Sequence, residues 1–236
     1  AYSSRPSGGQ QELAETAAKI EIELCKSPIG KQDHYAAAFG GLNKIEFRRH
    51  GEASVTPFPR NGFLKELQAQ SMLFYLNMEH EYESQVSGTT IRPSQVANTV
   101  IQTILKDQRA QIPEKHTIHG LQRDNALRLW ENMEYEVPER FIDHVNENWR
   151  LKRTLHDKVT NPLIDRYIQE AMAAGATAAK VCGSGGGGFL YFVVPPSMQK
   201  EVRYALADLS ELRFNFAEKG AEIVFEDRRR YALLQS

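Results

Sequence analysis

The amino-acid sequence predicts an α+β fold built from two parts. Apolar residues recur at helical spacing over residues 10–25 and through the long middle of the chain. The tail changes period and reads strand, loop, strand, helix, strand, strand. A glycine run, Gly183-Ser184-Gly185-Gly186-Gly187-Gly188, joins two apolar stretches of that tail. Helices followed by a strand-rich end imply a layer of helices against a sheet.

The elements follow in order. Leu13, Ala17, Ile20 and Leu24 lie on one face of a helix over residues 10–25. Ser7 and the glycines after it are its expected start, and Pro28 and Gly30 stop it. A short helix begins near Lys31, runs through Ala36-Ala37-Ala38 and ends at Gly40-Gly41. Residues 42–48 read as a strand with Ile45 and Phe47 on one face, and Val55 marks its partner. Asn61-Gly62 is a turn signal and the expected boundary, dividing the chain into 1–62 and 63–236. Met72 to Leu76 reads as a strand. Val96, Val100, Ile101, Ile104 and Leu105 make one helical stripe, and Leu121, Leu127 and Trp130 mark a second. Pro138 suits the first turn of a helix carrying Phe141, Ile142, Val145 and Trp149. Asn161-Pro162 caps and opens another, with Leu163, Tyr167 and Ala171. Strands follow at Thr177–Cys182 and Phe189–Val194, then a helix with Val202, Ala205, Leu206 and Leu209. Leu212-Phe214-Phe216 and Ala221-Ile223-Phe225 alternate as two last strands.

Composition narrows the class. Hydrophobic residues make up 41% and charged residues 25%, the balance of an ordinary globular protein. A net charge of -1 points to neither nucleic acid nor a membrane surface. No apolar run is long enough to span a bilayer. The first residues, Ala1-Tyr2-Ser3-Ser4-Arg5-Pro6, lack the pattern of a signal peptide. Two cysteines, Cys25 and Cys182, form no disulfide framework, so a reducing, cytoplasmic setting is expected. The chain opens without Met and runs directly into a helix, which suggests that an upstream part is absent.

Three features bear on chemistry. The glycine run can wrap backbone amides around an anion, because no Cβ blocks close approach. It can equally be a tight strand connection that needs positive φ. It is neither a Walker A sequence nor a dinucleotide fingerprint, since no Gly-Lys-Ser/Thr closes it and a strand follows it. Pro28-Ile29-Gly30-Lys31-Gln32-Asp33-His34-Tyr35 puts an acid in the first turn of a short helix. Lys31 and the helix dipole favour an ionised Asp33. Such a carboxylate can take the proton of an attacking hydroxyl, or it can simply cap the helix. Glu21 and Glu23 lie on the preceding helix. Either is ordinary surface decoration, or a hard oxygen ligand for Mg²⁺.

Residues 28–43, from Pro28 through Asp33 to Asn43, closely resemble the segment of GHMP kinases that carries the catalytic aspartate. Lys180-Val181-Cys182-Gly183-Ser184-Gly185-Gly186-Gly187-Gly188 resembles that family's third motif. Asn148 to Arg153 and Asn161 to Asp165 look like the branch that holds heptose 7-phosphate kinases and related bacterial sugar kinases. The resemblance covers nearly the whole chain apart from the middle helices.

The resemblance implies a two-domain GHMP kinase fold: the remainder of an amino-terminal domain and a ferredoxin-like carboxyl-terminal domain with extra helices. It implies ATP-dependent phosphorylation, with Mg²⁺, of the anomeric hydroxyl of a heptose phosphate. A fucose- or galactose-type kinase, or a non-catalytic sugar- or nucleotide-binding relative, stands as the alternative. Asp33 matches the catalytic aspartate, and Glu21, seven residues before Pro28, matches the magnesium-binding glutamate. Gly183, Ser184, Gly185, Gly186 and Gly187 line the phosphates. Lys31, Gln32, His34 and Gly41 lie near the sugar. Arg150 and Lys152 fit a sugar phosphate or a basic helix face equally well. The expected partners are a sugar or sugar phosphate and either a homodimer mate or a companion chain, with no nucleic acid and no membrane. The family's second motif, a glycine- and serine-rich loop around the ATP phosphates, should precede the first helix. The sequence lacks it, so a fragment of this extent should bind ATP poorly and need a companion. Leu76-Asn77-Met78-Glu79-His80 stands where relatives carry a Thr-Gly turn and an arginine. His34 replaces the commoner glutamine and Ser184 the commoner alanine.

Overall fold

A computed structural model describes residues 8–48, 51–58, 62–78, 91–134 and 138–222, together with 87 and 89. Ser7, Asn61, Glu79, His80, Ile223 and Phe225 lie outside the described residues. The chain forms two compact units, Ala1–Pro59 with Phe216–Ser236, and Arg60–Asn215. The tail from Phe216 therefore groups with the beginning of the chain, whereas the sequence suggested a single cut near residue 62.

In the first unit, helix α1 spans Gly8–Ala18 and continues as a π-helical turn, Lys19–Leu24. Helix α2 spans Gln32–Phe39 and ends at Gly40 with φ of 61°. Strands β1 (Asn43–Phe47) and β2 (Ala53–Pro57) form an antiparallel hairpin in which Ile45 faces Val55, the pairing expected. The small core holds Ala14, Tyr35 and Ala38, with Phe39, Ile45, Ala53 and Val55 packed around it. Tyr35 meets Phe47 edge-on with ring centroids 5.3 Å apart.

The buried face of α1 is not the expected one. Ala14 and Ala18 are buried, whereas Leu13, Ile20 and Leu24 are exposed. Two alanines four residues apart let α1 approach α2 closely, which leucines would prevent. The π-helical turn then resets the helical phase, so Ile20 and Leu24 stop tracking the residues before them.

The second unit contains α3 (Gly62–Gln70), a helix the sequence reading missed, and β3 (Ser71–Leu76). Helices α4 (Pro93–Ala110), α5 (His116–Glu134), α6 (Pro138–Arg153) and α7 (Pro162–Ala173) follow. Strands β4 (Ala178–Val181) and β5 (Gly188–Val193), helix α8 (Gln199–Ala205) and a two-residue strand β6 (Ser210–Glu211) complete it. The four strands form an antiparallel sheet in the order β4-β5-β3-β6. That is the strand order of a ferredoxin-like layer, with α4–α7 inserted where one helix would suffice. Residues Leu212 to Phe216 continue β6 without strand structure, and Leu212 and Phe216 are exposed, so the expected strand there is only begun.

Period-two alternation explains the sheet. Met72, Phe74 and Leu76 bury one face, with Leu190 and Phe192 opposite. Ile104, Trp149, Ile164, Tyr167, Val202 and Leu206 cover it. Ala178 and Val193 point to the other face and meet Val145 of α6. Asn161 caps α7 as expected, accepting the Ile164 N–H at 2.9 Å. The stripe expected on α5 is not buried, because Leu121 and Leu127 are exposed. The buried residues of that helix are Met133 and Asn125, and Asn125 holds α6 through His144. Asn125 Nδ2 donates to the His144 carbonyl at 3.0 Å, and the Asn125 Oδ1 and His144 Nδ1 are 2.7 Å apart. Among the described residues no helix is long and apolar enough to cross a membrane.

The tail crosses the end of α2 at backbone contact. A Cβ on Gly220 would lie 2.1 Å from the Ala38 oxygen, and a Cβ on Gly40 2.1 Å from the Lys219 carbonyl carbon. The Ala221 N–H donates to Ala37 O at 2.9 Å, and the Gly41 N–H to Ala217 O at 2.7 Å. Backbone cannot yield as a side chain does. Gly220→Ala should therefore lower stability by about 1–3 kcal/mol in urea unfolding. A change under about 0.5 kcal/mol, the range of an inconsequential surface substitution, would show that the crossing is not close.

Candidate functional site

Two groups of candidate residues fall in the two units. In the first, the π-helical turn places Glu21 against the first turn of α2. The His34 Nε2–H donates to Glu21 Oε2 at 2.9 Å, with the His34 side chain 8% exposed and that of Glu21 50%. A carboxylate only accepts, so the proton of the neutral ring sits on Nε2 and Nδ1 is left as an acceptor. That Nδ1 is buried and has no hydrogen-bond partner among the described residues. Asp33, one residue before, is exposed and makes no side-chain bond among the described residues. Helix α2 has no side-chain cap, because Lys31 occupies the cap position and Asp33 lies inside the first turn. Asp33 is thus not the capping residue that the spacing alone allowed.

Lys31 is half-buried and Gln32 exposed. The Gln32 side chain folds back over Gly30, whose Cβ would lie 2.6 Å from Gln32 Oε1. Gly41 turns at φ of 68° beneath the tail. Glu23 is exposed and engages no partner among the described residues.

No group of three or more His, Cys, Asp or Glu gathers as a metal site among the described residues. Glu21 has one oxygen on His34 and offers the other. A single carboxylate fits Mg²⁺ that takes its remaining ligands from phosphates and water, and does not fit a metal caged by protein.

In the second unit, the glycine run is the β4–β5 hairpin loop. The Cys182 N–H donates to Phe189 O at 2.8 Å and closes its base. Its floor is buried against a 3₁₀ turn, Asp157–Val159, where the Gly186 N–H donates to Val159 O at 2.9 Å. A Cβ at Gly185 would meet that same carbonyl oxygen at 2.7 Å, and one at Gly187 would lie 2.4 Å from Met78 Cγ. These positions also hold positive φ. Steric need therefore accounts for the glycines of the floor. The rim differs: added Cβ atoms at Gly183 and Gly188 meet nothing within 4 Å. The N–H groups of Ser184, Gly185 and Gly187 have no partner among the described residues. Met78, from the segment that departs from relatives, packs beneath this loop.

Helix α6 supplies what the sequence left open. Arg150 is committed to Glu147, at 2.7 and 2.8 Å, and is exposed. Lys152 instead turns inward, and its Nζ donates to Val181 O at 3.0 Å and to Gly183 O. Burial, and then the charge of Lys180, push its amine down to about 8, against an opposing pull from Cys182. Burial raises the Cys182 thiol. Beneath the loop, His156 Nδ1 accepts the Lys158 N–H at 3.0 Å, while its Nε2 meets Asp107 Oδ2 at 3.1 Å.

Residues 131–211 match the family described as GHMP kinases C terminal. This segment is similar to the carboxyl-terminal domain of GHMP kinases. It holds α6, α7, β4, the glycine loop, β5, α8 and β6, while β3 of the same sheet lies before it. Over 199 residues the chain is 27% identical to a D-glycero-alpha-D-manno-heptose 7-phosphate kinase of Campylobacter jejuni, covering 84% of this chain and 54% of that protein. A crystal structure described as a sugar kinase from Campylobacter jejuni superposes with a TM-score of 0.58 at 24% identity, over 90% of this chain and 56% of that one. A D-glycero-D-manno-heptose 1-phosphate kinase from Bacteriodes thetaiotaomicron gives 0.52 at 24% identity, over 92% and 56%. The chain thus spans about half the length of these relatives. The GHMP kinase fold accounts for the ferredoxin-like order of the sheet.

The lowered Lys152 amine has a signed consequence. Between pH of about 8 and 10.5 the unfolded chain keeps that proton and the folded chain does not. Stability contributed by Lys152 therefore rises with pH through that window and is least below it. Urea midpoints of the parent and Lys152→Met, taken at about pH 7.5 and about pH 10, should diverge in the parent's favour at the higher pH. An unchanged gap would mean that the amine titrates normally.

Proposed function

We propose that this chain belongs to an ATP-dependent sugar kinase that phosphorylates the anomeric hydroxyl of D-glycero-D-manno-heptose 7-phosphate. The observation that carries the reading is Asp33, exposed and uncommitted in the first turn of α2, beside a Glu21 carboxylate held by His34. The similarity to a heptose 7-phosphate kinase supports the choice of acceptor.

In this reading Asp33 accepts the proton of the attacking hydroxyl as the γ-phosphoryl group transfers. Glu21 would hold Mg²⁺, which supplies charge neutralisation on the phosphate oxygens when bound. His34 fixes one Glu21 oxygen, so the other keeps a constant direction. The His34 Nδ1 can accept a hydrogen bond from a sugar hydroxyl, a donor that it lacks among the described residues. Lys31, Gln32 and Gly41 border the same turn and complete the sugar contacts. The unpartnered amides of Ser184, Gly185 and Gly187 can bind phosphate oxygens, with Gly186 serving as the loop's anchor and Gly183 as its open rim.

Asp33→Asn in the intact protein tests the base. ADP formation with heptose 7-phosphate should fall about a hundredfold or more in kcat, with a small change in KM. An unchanged kcat would remove Asp33 from the chemistry. Phosphate transfer to fucose or galactose in preference would assign the alternative sugar branch. Calorimetric binding of nucleotide or sugar phosphate without any turnover by the parent would instead assign a binding protein.

A further inference from the structure

We propose that Lys152 is a positioning residue for the glycine loop, clamping the free edge of β4 so that the amides following Gly183 keep one arrangement. Among the described residues β4 is the outer strand of its sheet, with β5 on one side and no strand on the other. In an antiparallel strand, alternate residues point their backbone groups to opposite edges. Cys182 points toward β5, where its N–H reaches Phe189 O. Val181 therefore directs its carbonyl to the opposite edge, and Gly183, turning at φ of 67°, brings its carbonyl to the same lysine.

Helix α6 lies along that edge and takes the place of a strand with two side chains. Asn146 serves the first part of β4. Its Nδ2 donates to Thr177 O at 3.0 Å and its Oδ1 accepts the Ala179 N–H at 3.4 Å. Lys152 serves the last part and reaches the Val181 and Gly183 carbonyls with one ammonium. Together they meet Ala179 and Val181, the outward positions of β4, and the flanking Thr177 and Gly183, although Thr177 gives its own N–H to Val193 O of β5. The spacing distinguishes this from a chance contact, since every second residue is met in turn.

The clamp fixes the geometry at a decisive point. In a fully extended strand the two carbonyls would lie about 6.6 Å apart, too far for one nitrogen, so both are reached because the chain turns at Gly183, whose φ is 67°. Cys182 is the residue between them, and the loop turns immediately after it. Lys152 thus sets the direction in which Gly183 leaves the sheet, while Gly186 on Val159 sets where the loop lands. With both ends fixed, Ser184 and Gly185 span the gap in few conformations, although glycine itself is permissive. The groups bearing on the amine are Lys180 on β4 and Cys182 at its end, and no carboxylate neutralises it. Burying an ammonium opposite backbone carbonyls alone is unfavourable compared with an apolar side chain. Its presence beside a loop that needs order fits a positioning role better than a stabilising one. The consequence for turnover rests on the kinase reading above, whereas the clamp itself does not.

Hydrogen exchange followed by mass spectrometry tests the clamp on the intact protein near neutral pH. Lys152→Met keeps the apolar stem and removes the donors, and Lys152→Gln keeps a donor without charge. Exchange of the segment 182–187 should rise about tenfold or more in Lys152→Met, while β3 stays within about twofold of the parent. Lys152→Gln should lie between the two, and Lys152→Arg, which can reach two carbonyls, should restore protection to within about threefold. A loop unchanged in Lys152→Met, equal loosening of β3, or an Arg variant no better than Met would each overturn the proposal. Where the parent transfers phosphate, the same variants should lower kcat in the order of their loop exchange. Where the parent transfers none, the kinase reading fails and the exchange data still decide the clamp.

Discussion

Gly186 gives its N–H to Val159 O at 2.9 Å, and a Cβ at Gly185 would strike that same oxygen at 2.7 Å. This contact brings the β4–β5 hairpin down onto the helical layer without a side chain between them. Much of the second unit is arranged to allow it. The Asp157–Val159 turn must stand at a fixed height, and the His156 bonds to Asp107 and Lys158 keep it there. Asn161 then starts α7 directly after the turn, so turn and helix move together. β3 and β5 pair along six residues and hold the far side of the hairpin rigid. A loop of glycines is costly to order, and packing its floor restricts it where sequence alone cannot.

The first unit solves a different problem. Its core is small, with Ala14, Tyr35 and Ala38 at the centre, and it depends on close approach rather than bulk. The tail lies directly on the backbone of α2 at Gly40 and Gly220. That leaves the amino end of α2 open, with Asp33 exposed and Glu21 turned toward it through His34. Close packing is concentrated at one end of a short helix, and the proposed chemistry lies at the other.

Much of this was legible in the sequence, for reasons that hold locally. Gly40 as a helix end, Asn161 as a cap and Ile45 opposite Val55 follow from backbone preferences and alternation. The candidate residues Asp33 and Glu21 came from a resemblance, and their spacing alone favoured a helix cap and a surface glutamate. The structure settles where they lie. Burial faces were less legible. Leu13 and Ile20 mark an apolar face of α1, yet α1 packs through Ala14 and Ala18, since volume at the contact matters more than hydrophobicity. On α5 a polar residue, Asn125, is buried along with Met133, because its amide matches the backbone and ring of His144. Lys152 was not legible as a clamp. A lysine in the run Arg150-Leu151-Lys152-Arg153 reads as a basic surface, and only the outward carbonyls of β4 distinguish it from Arg150.

The central claim is phosphoryl transfer to an anomeric hydroxyl. Phosphorus NMR of the intact protein incubated with ATP, Mg²⁺ and D-glycero-D-manno-heptose 7-phosphate addresses it directly. The account predicts a new sugar phosphorus signal coupled to the anomeric proton, growing in step with ADP. ADP without a second sugar phosphate, or a new phosphate on any other carbon, would contradict it.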